Sequence, residues 1–164
     1  MHDRAQGVAG PVLVTAFDRR TGYVMEATHV MVPDVVPGNL HPVLLAHVDH
    51  LLQRAAQRPD AYVYFRDPRT GEPIHRGGLP HFSAPGAHGE VQAASRLLFE
   101  RERAGLTVTP EALKELTFDS RIVGGRFGGE PAPFCPNCSA ILSTVESLGG
   151  KIPVDFYLDR PGAR

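Results

Sequence analysis

Apolar positions along this chain switch between two periods, and each switch marks a predicted element. Val12-Leu13-Val14-Thr15-Ala16-Phe17 and Tyr23-Val24-Met25-Glu26-Ala27-Thr28 are β-rich runs joined by a polar, glycine-ended link from Asp18 to Gly22. They predict a β-hairpin. Pro33 to Pro42, with Pro37, Gly38 and Asn39, predicts a loop. From Pro42 to about Gln57, Leu44, Val48, Leu51, Leu52 and Ala55 recur at helical spacing, which predicts an amphipathic helix packed on a sheet.

Ala61-Tyr62-Val63-Tyr64-Phe65 predicts a short strand, after which Asp67-Pro68-Arg69-Thr70-Gly71 turns the chain. Arg76 to Ala87 contains Gly77, Gly78, Pro80, Pro85 and Gly86 and predicts a loop that runs straight into His88. A helix follows to roughly Ala104. Thr109-Pro110-Glu111 opens a short helix ending near Leu116, and Phe118 to Val123 is the next strand. Gly124 to Phe134 predicts a loop, Cys135 to about Leu148 a helix, and Val154 to Leu158 a final strand. The order β-β-α-(β)-α-α-β-α-β predicts an α/β fold: a three-layer α/β/α sandwich around one mixed sheet of four to five strands.

Composition narrows the picture. With 164 residues, 42% of them hydrophobic, the chain suffices for one globular domain over residues 1–164, its core at about 12–158, without disulfide support. Seventeen basic residues against eighteen acidic ones exclude a global positive field, so any contact with nucleic acid has to be local. The basic residues are nearly all arginine, Lys114 and Lys151 excepted, which suits bidentate phosphate recognition but follows equally from coding bias. No apolar run reaches membrane-spanning length, and the first residues lack the order of a signal peptide. The expectation is a soluble chain made in the cytoplasm, with no membrane partner.

His88-Gly89-Glu90 and Cys135-Pro136-Asn137-Cys138 carry the chemistry. One imidazole and two thiolates are three zinc ligands that leave a fourth tetrahedral position for water, and Glu90 supplies a nearby carboxylate to move protons. Cys135 and Cys138, three apart in the first turn of a helix, point the same way, and the helix dipole helps to ionise them. Glu90 shares a helix face with Ala94, Leu97 and Leu98, so it points inward, where desolvation raises its proton affinity.

The bland alternatives are an ordinary first-turn Glu90, a thioredoxin-like redox pair, a plain buried cysteine pair, and a structural Cys₂His₂ site recruiting His47 and His50. The redox pair would follow an early strand, whereas these cysteines come late in the chain. His2, His29, His41 and His75 have no metal-ligand spacing and suit solvated or core roles. His81, in the loop feeding the His88 helix, is placed to line the pocket mouth, and Asn39 to hydrogen-bond a base or sugar, although a plain loop or turn role is open to each.

His88-Gly89-Glu90 with Cys135-Pro136-Asn137-Cys138, on this order of elements, resembles the cytidine deaminase-like superfamily, and the C-P-N-C form resembles its YwqJ-type branch of bacterial deaminases, often toxin domains. Asp18-Arg19-Arg20-Thr21-Gly22 and Asn39-Leu40-His41-Pro42 add to the likeness. It implies Zn²⁺ held by His88, Cys135 and Cys138, with Glu90 as catalytic proton shuttle. Phe134 stands where the superfamily carries proline, beside the oxygen acceptor for the substrate amine, and so joins Asn39 and His81 as a substrate-binding candidate. The implied substrate is cytosine in nucleic acid, single-stranded in preference to duplex. A free nucleoside or nucleotide, or another small aminated heterocycle, is the alternative that the balanced charge favours, and a non-catalytic zinc-stabilised interaction module is the rival from another class. As a toxin, the chain would be delivered to a target cell and have an immunity protein as partner.

Overall fold

The structure is a computed structural model that describes residues 12–29, 37–63, 65–81 and 83–157. The expectations for Pro33 to Val36, Tyr64, Leu158 and His2 fall outside the described residues.

The hairpin forms as the pattern predicts. Strand β1 (Val12–Asp18) pairs antiparallel with β2 (Val24–His29). Asp18 closes the turn: its Oδ1 accepts the Arg20 N–H at 2.9 Å, and Gly22 takes the positive φ of 77° that a side chain resists. Helix α1 (Pro42–Gln57) starts at His41, whose Nδ1 accepts the Val43 N–H at 3.2 Å, and it buries Leu44, Val48, Leu51 and Ala55. Helix α2 (Gly89–Arg103) lies across β1 and β2. Strand β5 (Leu116–Ile122) pairs antiparallel with β1, and the short β6 (Glu146–Ser147) lies parallel to β5. The result is an open four-stranded mixed sheet in the order β2-β1-β5-β6.

Burial alternates along β1, with Val12, Val14, Ala16 and Asp18 in the core and Leu13 and Phe17 exposed on the other face. That alternation is the period of a strand covered on one side. Helix α3 (Pro136–Ile141) connects β5 to β6 and packs on α1.

Four expectations need correction. The described residues of the 61–65 segment do not extend the main sheet: Phe65–Arg66 (β3) pairs with Pro73–Ile74 (β4) in a separate two-stranded sheet. The turn between them decides this locally, Asp67 Oδ1 accepting the N–H groups of Arg69 at 2.7 Å and Thr70 at 3.2 Å. The segment after Thr109 is a 3₁₀-helix, Pro110–Glu115, rather than an α-helix. The helix begun at Cys135 stops at Ile141 instead of Leu148 because side chains capture its carbonyls. His47 Nδ1 lies 2.8 Å from Ile141 O, and Lys151 Nζ donates to Ser143 O at 2.7 Å and Val145 O at 2.6 Å. Finally, Val154–Tyr157 is a 3₁₀ turn against α3, since Glu146–Ser147 already holds the place beside β5 and Lys151 bridges to Phe134.

Candidate metal centre

His88 and Cys135 occupy equivalent places in the fold, each being the extended residue immediately before a helix. Their backbones are similar, φ −73° and ψ 153° for His88 against φ −63° and ψ 164° for Cys135. Cys135 Sγ also accepts the Cys138 N–H at 3.4 Å, which turns Cys138 back toward it.

The two tips meet at His88 Nδ1, which stands 3.3 Å from both Cys135 Sγ and Cys138 Sγ. Nitrogen and sulfur ligands on one tetrahedral zinc, with bonds of about 2.05 and 2.3 Å, would be about 3.5 Å apart. The donor set therefore fits such an ion. Glu90 Oε2 lies 3.8 Å from Cys138 Sγ and is buried with Ala94, Leu97 and Leu98, on the face its spacing predicts. Ligand atoms of His88, Glu90 and Cys138 lie within 4.8 Å of one another, as do those of His81, His88 and Cys135. The cluster can hold a metal ion.

Its electrostatics point the same way. Burial pushes Glu90 up, and although the neighbouring His88 pulls down, the carboxyl remains above its ordinary value. Burial alone pushes Cys135 up, but the Cys138 hydrogen bond and His88 outweigh it and hold this thiol well below its ordinary range. Cys138 goes the other way, raised by burial and by Cys135 and Glu90 beside it. Two adjacent buried thiols cannot both ionise unaided. A cation between them removes that conflict and favours both thiolates.

His81 reaches the cluster from the loop before α2. Its ring stands edge-on to His88, with centroids 5.3 Å apart. Burial lowers its proton affinity, His88 lowers it further, and Cys135 opposes both. Sequence reasoning missed the residue that ties this loop down. Asn137, between the cysteines, donates from Nδ2 to Ser83 O at 2.8 Å and toward His81 O at 3.4 Å. A strongly polar residue between two closely spaced cysteines was the available signal.

The other candidates lie elsewhere. Phe134 is wholly buried, edge-on to Phe118, and its carbonyl accepts the Ile152 N–H at 2.9 Å and the Ser139 hydroxyl at 3.2 Å. Both lone pairs are used, and Phe134 packs in the core. Asn39 is exposed in the turn before α1 and, among the described residues, hydrogen-bonds to none of the cluster. His47 is engaged with Ile141, His50 is exposed, and neither belongs to the ligand groups found among the described residues. Of the solvated and core roles open to His41, it takes the core one, buried against Phe99.

Compared with protein-family models, curated proteins and solved structures, the chain gives no match.

Proposed function

We propose that the chain is a zinc-dependent hydrolytic deaminase of the cytidine deaminase-like type, acting on cytosine in nucleic acid in the manner of YwqJ-type toxin domains. The observation that carries this is one imidazole nitrogen 3.3 Å from two thiols, with a buried carboxylate 3.8 Å from one of them. His88, Cys135 and Cys138 would hold the zinc. Bound there, zinc supplies Lewis acidity, which makes water acidic enough to ionise near neutral pH.

The remaining chemistry belongs to Glu90. Burial raises its proton affinity, so it takes one proton as water adds to C4 of the ring and delivers it to N3, then takes the proton of the new C4 hydroxyl and passes it to the departing amine. Water and cytosine are consumed, and uracil and ammonia are formed. No proton is left over.

Two alternatives have specific support. The balance of 17 basic and 18 acidic residues favours a free nucleoside or nucleotide. Binding to a single-stranded oligonucleotide separates the two substrates, since a polynucleotide complex weakens steeply with salt. The spacing of His81 from His88 and Cys135 favours a closed, non-catalytic metal site in a protein-binding module.

Glu90→Ala tests the enzyme against the module. In an enzyme it cuts ammonia release from cytosine substrates by about 10²–10⁴-fold, the usual contribution of general acid–base catalysis. Zinc content and the far-UV spectrum stay as in the wild type. Wild-type protein with full zinc and no ammonia release from nucleic acid or nucleosides would sink the proposal.

A further inference from the structure

The loop carrying His81 is fastened at three places. Near its start, a Cβ on Gly78 would lie 2.2 Å from Ala55 O, so the backbone is pressed onto the end of α1. Near its end, Gln92 Nε2 donates to Gly86 O at 2.9 Å. Between them, the Asn137 amide holds Ser83 O, which ties the loop to the turn that carries both cysteines.

Within this frame the Ser83 N–H donates to His81 Nδ1 at 3.3 Å. A ring that accepts at Nδ1 carries its hydrogen on Nε2. His81 falls within ligand distance of His88 and Cys135, while Glu90 falls with His88 and Cys138. Around the centre, then, Glu90 lies on the Cys138 side and His81 on the Cys135 side. Asn137 Oδ1 is buried and, among the described residues, has no hydrogen-bond partner. An acceptor left so is costly unless a guest or water meets it.

We propose that His81 orients the substrate by donating its Nε2 hydrogen to an acceptor on an aminated heterocycle, and that Asn137 is the positioning residue that holds His81 in place. This rests on the deaminase proposal above. The class that fits is a heterocycle carrying an amine and a neighbouring acceptor, as cytosine does. An amine on a plain carbocycle offers His81 nothing to bind.

The test uses the full zinc-loaded chain and a 2-pyrimidinone ribonucleoside, which keeps the ring acceptor and lacks the amine. Its affinity is measured calorimetrically for the wild type, His81→Ala, His81→Gln, Asn137→Ala and the His81→Ala/Asn137→Ala double variant, with zinc content by mass spectrometry. His81→Ala weakens binding at least about tenfold, one hydrogen bond's worth. His81→Gln, which keeps an N–H donor, stays within about threefold of wild type. Asn137→Ala weakens binding too, and the double variant is no weaker than His81→Ala alone, because the two act through one contact. All variants keep their zinc.

Probe affinity unchanged in His81→Ala overturns the inference, and so does loss of zinc there, which would make His81 a ligand. A wild type that neither binds the probe nor releases ammonia from cytidine or single-stranded nucleic acid sinks the deaminase proposal and takes this inference with it.

Discussion

Among the described residues, Arg101 is the largest side chain in the core, with 2% of its surface exposed. It is tolerated there because Asp18, wholly buried, receives its Nε hydrogen at 2.6 Å, while Glu115 receives one from Nη1 at 2.6 Å. Arg101→Met leaves the Asp18 carboxylate buried without its partner, and urea unfolding should show a loss of about 3–5 kcal/mol. Adding Asp18→Asn should recover part of it. The same pair sets an acid limit. Burial pushes Asp18 up, but the hydrogen bonds from Arg101 and from the turn amides outweigh it and hold the carboxyl below its ordinary value. A group depressed in the fold stabilises above its unfolded value of about 3.9 and loses that contribution as pH falls through the folded one. Stability should therefore drop below about pH 4, and Asp18→Asn should flatten that slope. An unchanged acid profile in Asp18→Asn would refute the assignment.

At the level of elements, the site depends on where helices begin. His88 and Cys135 are both the residue before a helix, so the ends that present them are held by α2 on the sheet and by α3 on α1. Those helices were legible to different extents. Apolar spacing from Val91 to Leu98 marks α2, whereas Ile141, Leu142, Val145 and Leu148 continue a helical period that the chain abandons after Ile141. The reason is non-local: His47 and Lys151 take carbonyls that a longer helix would have kept. The loop before α2 shows the same dependence. Gly78, at φ 78°, has carbonyl oxygens of Ala55 and Arg58 within 2.4 Å of any added Cβ, while Gly77, at φ 60°, has nothing within 4 Å. Gly77→Ala should cost about 1 kcal/mol for the backbone conformation alone. Gly78→Ala should cost clearly more in urea unfolding, and equal costs would show that the loop is not pressed onto α1.

For the whole molecule, the ion and the fold should be linked. Three closely packed acidic groups surround one imidazole, and while Cys135 is held toward its thiolate, burial and its neighbours hold Cys138 and Glu90 toward their neutral forms, a conflict that a bound cation removes. Zinc at a thousand times its dissociation constant stabilises by about 4 kcal/mol, or roughly 8–16 °C in Tm for a chain of this size. A chelator should lower Tm accordingly, and re-addition of zinc should restore it. Identical melting with and without zinc would exclude a bound ion at this centre. Among the described residues no helix is long and apolar enough to cross a membrane.

The sequence by itself determined the β-hairpin, helices α1 and α2, and the identity of the donor set, because each is written in short-range pattern: apolar period, turn residues, and side chains whose chemistry needs no neighbours to recognise. Tertiary structure alone decided that His88 meets both sulfurs, that Phe134 belongs to the core, that residues 146–147 rather than 154–157 take the place beside β5, and that Asn137 ties the loop of His81 to the turn carrying both cysteines. Each of these turns on a contact between residues distant along the chain. Several segments can satisfy one sheet edge or one carbonyl, and only the packed arrangement selects among them.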